Sequence, residues 1–186
     1  MQAPVSPTAS MRRLLRRFRR NRRASAALEF ALVGPIFFAL LFAIIETGLM
    51  FFANQVLETA TQDSARMILT GQAQNGSYSK QDFAKYVCNN TSVSILFDCN
   101  SIYIDVKSYS SFGSVSIGNQ IDNSGNFINN MTYSPGAAGD IVVVRMFYQW
   151  PIFVTGLGYN ITNLSGSKRL LAGTAAFKNE PYSSSP

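Results

Sequence analysis

The sequence predicts an α+β protein: a long N-terminal helix, first hydrophobic and then amphipathic, packed on a small antiparallel β-rich domain. Three observations predict it. An arginine-dense leader runs straight into a long apolar stretch. The helical period of that stretch continues beyond it with one polar face. The remaining chain is rich in Ser, Asn, Gly and Tyr and carries short β-branched runs. The expected order is a basic leader over 1–24, a helix over 25–71 containing a membrane span near 31–53, and a β-rich domain over 72–186.

The leader holds the unusual charge. Residues 12–23 contain eight arginines and no acid, whereas the rest of the chain has eight Lys/Arg against ten Asp/Glu. The formal net charge of +6 therefore describes the leader and not the folded body. Such a cluster could bind nucleic acid. Beside an apolar span it instead holds the N-terminus in the cytoplasm and sends the C-terminal part outside, so no nucleic-acid partner is expected.

The apolar stretch from Ala31 to Ala53 is long enough for a bilayer core of about 30 Å at a rise of about 1.5 Å per residue. The small residues Ala24, Ser25, Ala26 and Ala27 precede this core and do not follow it. Ordinary signal-peptidase removal is therefore not expected, and the span stays in the mature protein. Gly34 and Pro35 are expected to loosen or kink the helix, because Pro35 cannot donate to the carbonyl of Ala31. Glu46 would cost about 2–3 kcal/mol if charged and unpaired within the membrane. Two readings of it stand side by side. It bonds its own helix or sits near the outer interface, or it makes a polar contact between packed subunits.

Past Ala53 the pattern turns amphipathic. Ala53, Val56, Leu57, Ala60, Ser64, Met67 and Ile68 recur at helical spacing, while Gln55, Glu58, Gln62, Asp63 and Arg66 occupy the other face. Gly71 is the expected stop. An ordinary single-pass anchor has no need of such a continuous two-part helix; a helical filament subunit does.

These residues carry a family likeness. Arg22-Arg-Ala-Ser-Ala-Ala-Leu-Glu29-Phe-Ala-Leu-Val-Gly-Pro35, Ile45-Glu46-Thr-Gly48, Gln55-Val-Leu-Glu58 and Ser64-Ala-Arg66 resemble a TadE-like protein, and Phe177-Lys-Asn-Glu-Pro-Tyr182 is similar to the way such proteins end. The resemblance is to pseudopilins and minor pilins of the tight-adherence (Tad/Flp) pilus, and it covers residues 20–70 and the tail. It implies a pilin-like helix and a structural role in assembling a type IV filament used for adhesion or secretion. It also implies a prepilin peptidase, other pilins and pseudopilins, an inner-membrane assembly platform and membrane lipid as partners, with no cofactor. The location it implies is the bacterial inner membrane with a periplasmic domain, or an extracellular pilus.

By the same resemblance Glu29 is the fifth residue of the mature chain, with the cut between Ala24 and Ser25. Phe30 fits the family pattern after that Glu, whereas Ala24 stands where the family more usually has Gly. Cleavage would free an α-amine at Ser25, and a neighbouring subunit's Glu29 carboxylate would neutralise it in a dry medium where an unpaired charge is costly. Two alternatives are an uncleaved membrane scaffold and a signal-anchored envelope adhesin or enzyme.

In the domain, Ile102–Lys107 alternates like a half-buried strand, Ile141–Gln149 is a strongly β-branched strand ended by Trp150-Pro151, and Lys168–Phe177 is a final strand. Residues 109–139 read as loop or irregular hairpin, and Gln81–Cys88 as a short helix following Ser79. Cys88 and Cys99 are spaced for a disulfide closing a small loop, stabilising by about 2–3 kcal/mol in an oxidising compartment. Two thiols without a single histidine make a poor metal set. The lack of histidine also removes the common triads, and no glycine-rich phosphate loop follows a strand. The domain's acids, Asp82, Asp98, Asp105, Asp122, Asp140 and Glu180, are scattered, so neither catalytic nor metal-binding residues are expected.

Overall fold

The computed structural model describes residues 22–155 and 159–182, with side chains from Ala26 onward. The arginine leader as far as Asn21 lies outside the described residues, as do the side chains at the expected cut, Ala24 and Ser25. The architecture is α+β. Helix α1, Arg22–Leu69, is followed by the single turn α2, Gln72–Asn75, and by α3, Lys80–Asn90. Strands β1 (Tyr103–Tyr109), β2 (Ile141–Pro151) and β3 (Lys168–Lys178) form one antiparallel sheet in the order β1-β2-β3. The chain divides into two compact units, with the boundary inside α1 between Ile45 and Glu46.

The first unit is the N-terminal part of α1. The helix is unbroken through Gly34 and Pro35. Phe30 folds back one turn over Gly34, where an added Cβ would meet its ring at 3.5 Å.

The second unit holds the core. One stripe of α1 is buried in it: Met50, Ala53, Leu57, Ala60, Thr61, Ser64, Ala65 and Ile68. Gln55, Gln62, Asp63 and Arg66 face solvent, as the spacing predicts. The two polar members of the stripe are satisfied within the helix: the Thr61 hydroxyl donates to the Leu57 carbonyl at 2.7 Å and Ser64 to Ala60 at 2.5 Å. Small residues there let the sheet approach closely. At Gly173 in β3 an added Cβ would lie 2.9 Å from the Leu57 carbonyl oxygen and 3.0 Å from the Glu58 Cα, so only glycine fits without a backbone shift.

Residues of alternate parity on β2, Val142, Val144 and Met146, join that core, as does Leu171 of β3. Helix α3 adds Phe83 and Val87. It starts on a reciprocal capping box in which Ser79 and Asp82 satisfy each other's backbone amides. The disulfide Cys88–Cys99, with Cα atoms 6.0 Å apart, ties the end of α3 to the turn before β1. Phe97 closes this side against Tyr148 and Trp150.

The opposite sheet face is covered by the long connection between β1 and β2, which is irregular as expected, with one short 3-10 turn at Phe112–Ser114. An ion pair pins it. Asp105 and Arg145 are direct cross-strand partners, joined at 2.7 Å, and both are buried. Asp105 also accepts from the amide and hydroxyl of Thr132, and Arg145 donates to the Gly118 carbonyl while lying over the Phe147 ring. Burial works against the Asp105 carboxylate, but the Thr132 amide, Arg145, Lys107 and the Thr132 hydroxyl outweigh it and hold the carboxyl below the usual range.

The tail closes the end of α1. Gly71 takes a left-handed conformation (φ 75°), and the Tyr182 ring sits where any side chain at that position would go. The Glu180 amide donates to the Leu69 carbonyl at 2.9 Å, satisfying one of the helix's orphan acceptors. Asn179, buried, donates to the carbonyls of Pro135 and Ala137.

Candidate functional site

The candidate site is the surface of α1 itself. From Leu28 to Ile45 large apolar side chains stand exposed around the helix, among them Phe30, Leu32, Val33, Ile36, Phe37, Leu40, Phe42 and Ile44, and in the second unit Leu49, Phe51 and Phe52 are exposed on one side of it. A helix greasy all round is stable only inside a membrane or a larger assembly. Over its described residues α1 is long and apolar enough to cross a bilayer. Glu29 and Phe30 lie at the start of this surface, both exposed, one turn beyond Ser25 on an uninterrupted helix.

Glu46, six residues before the last of these exposed apolar side chains, is buried. Both of its carboxylate oxygens are used: the Phe153 amide donates to Oε1 at 2.6 Å and the Val154 amide to Oε2 at 3.0 Å. The partner is a loop of the same chain, 107 residues away, just past the end of β2. Beside it the hydroxyls of Thr47 and Tyr159 bond each other. The amide of Ile152 is taken by the Ser167 carbonyl at 2.9 Å, so three successive loop amides are satisfied within the protein.

Among the residues expected to matter, the structure thus gives Glu46 a definite intrachain role and closes the Cys88–Cys99 bond. Gly34 and Pro35 sit within continuous helix. Phe153, Val154, Thr47 and Tyr159 were not legible as partners of this segment. The one available signal was the absence of any charged residue from Pro151 to Ser167. Among the described residues no cluster of three or more His, Cys, Asp or Glu is placed to hold a metal. The domain's buried ion pair, Asp105–Arg145, is committed to neighbouring protein groups.

Comparison with known families finds one match at this surface: the family described as TadE-like protein matches residues 24–66. The chain is therefore TadE-like over its long helix, from the residue before the expected cut to the amphipathic half. Neither a curated protein nor a solved structure matches the chain.

Proposed function

We propose that this chain, TadE-like over its long helix, is a pseudopilin or minor pilin that takes part in assembling a Tad-type pilus, and is not an enzyme. The observation that carries the reading is the family match over 24–66, which includes the Ala24-Ser25 junction, Glu29 and the exposed apolar helix. On this reading a prepilin peptidase cuts after Ala24. The leader keeps the N-terminus cytoplasmic until then, and the β-rich domain stands in the periplasm. The new Ser25 amine is neutralised by Glu29 of a neighbouring subunit as helices stagger, which favours one register over others.

Glu29→Ala tests the assembly role. The expected result is a chain that inserts in the membrane, keeps its folded domain and is processed, yet no longer supports pilus formation. Normal piliation by that variant would remove Glu29 from the mechanism. The uncleaved scaffold remains the second reading because of one residue, Ala24 in place of the more usual Gly. Ala24→Gly separates the two: faster processing with unchanged piliation fits the pilin, whereas loss of function on cleavage fits the permanent anchor.

A further inference from the structure

The loop that Glu46 holds is built for a non-aqueous setting. From Pro151 to Ser167 the sequence carries no charge, and Phe153 is 83% exposed at the point where the loop meets α1. On the same unit Leu49, Phe51 and Phe52 of α1 are exposed too. The exposed apolar side chains of the helix run from Leu28 to Phe52, about 37 Å at about 1.5 Å per residue, against a hydrocarbon core of about 30 Å. Glu46 lies six residues before Phe52. Along the helix axis that is about 9 Å inside the apolar end.

Irregular backbone is expelled from lipid because each bare amide costs several kcal/mol there. Here three successive amides of the segment are covered. The amides of Ile152, Phe153 and Val154 are taken by the Ser167 carbonyl and the two Glu46 oxygens, and the Tyr159 hydroxyl by Thr47. A buried carboxylate does for this loop what water does for an ordinary one.

We propose that Pro151–Thr155, led by Phe153, forms a foot immersed in the membrane leaflet on the domain's side, with lipid as its occupant and Glu46 as the clamp that makes its backbone compatible with lipid. The foot rests on the reading that α1 spans a bilayer. Its chemistry is that of an interfacial anchor, an aromatic side chain buried about 5–10 Å below the headgroups. It would fix the height and tilt of the domain over the membrane before any assembly step. An anionic headgroup is not required, since the segment bears no cation.

The test uses the full chain in phosphatidylcholine/phosphatidylglycerol vesicles. Among the described residues both cysteines are consumed in the disulfide, so each introduced thiol is unique. Phe153→Cys, Leu40→Cys and Ile95→Cys, each carrying a nitroxide, are compared by collision with oxygen, which concentrates in lipid, and with a nickel chelate, which stays in water. The expected order puts Phe153 with Leu40, its oxygen-to-nickel ratio severalfold above that of Ile95. Leu40 in lipid with Phe153 as nickel-accessible as Ile95 overturns the foot but keeps the span. Leu40 open to nickel overturns the span itself. A label at 153 shielded from both reagents means that protein covers the site, which also overturns lipid as occupant. Adding Glu46→Gln, which replaces one acceptor oxygen by a donor, should raise nickel access at 153 severalfold. No change there would remove Glu46 as the clamp.

Discussion

The two halves of α1 share a backbone and almost nothing else. Up to Ile45 large apolar side chains stand exposed around the helix, and the described acid is Glu29 at its start. From Ala53 to Leu69 one stripe is buried and the opposite face is polar. The buried stripe is made of Ala, Ser, Thr and a few large residues, because a sheet must come within contact distance of the helix backbone at Gly173. The exposed half has no such demand and is filled with Phe, Leu and Ile. The contrast teaches that helical period alone tells little. Which face is small and which is large reveals what the helix expects to meet: its own domain, or lipid and other subunits.

The comparison can be broken most forcefully through the domain's ion pair. Asp105→Asn leaves the Arg145 guanidinium buried without its counter-charge and should cost about 3–5 kcal/mol of domain stability. Membrane insertion of the N-terminal half should be untouched, as a thermal melt and a flotation assay on the same sample would show. Acid should act in the same direction. Because folding holds the Asp105 carboxyl below its unfolded value, its contribution is complete above about pH 4 and is lost as pH falls through the folded value. Melting temperature measured from pH 6 down to pH 2 should therefore drop in wild type more than in Asp105→Asn.

A matched pair of truncations comes next. Ile68→Ala, in the buried stripe, should destabilise the domain by about 2–5 kcal/mol. Ile44→Ala, on the exposed half, should change the melt in detergent by less than about 0.5 kcal/mol. Equal effects would mean that the exposed half is packed against protein after all. Glycines give a finer contrast. Gly173→Ala forces a methyl against the Leu57 carbonyl and should cost about 1–3 kcal/mol. Gly48→Ala meets nothing within 4 Å and should stabilise the helix by up to about 1 kcal/mol through propensity alone. Chemical denaturation of the two variants side by side should move the midpoint in opposite directions.

Much of this was written in local pattern. The 3.6-residue stripe of α1, the stop at Gly71, the alternation of β1 and the β-branched run of β2 all depend on neighbours a few residues apart, and each appears close to where the sequence puts it. Ser79 before α3 works the same way, since its cap partner Asp82 is three residues on. What stayed hidden depends on pairs far apart in the chain. Asp105 looked like one of several scattered acids until strand register set it opposite Arg145. Glu46 could be recognised as costly, but its partners are amides, which carry no sequence signature, and they belong to a loop more than a hundred residues later. The tail motif around Asn179 and Tyr182 resembled a family ending without revealing that it caps α1.

The central claim is that the exposed half of α1 is a processed assembly helix beginning at Ser25. The N-terminal residue of the protein isolated from membranes, read by intact mass and terminal sequencing, tests it most directly. A mature chain beginning at Ser25 is the predicted result, with Glu29 at its fifth position. A chain that retains Arg12 to Arg23 would contradict the account and make this protein a permanent anchor.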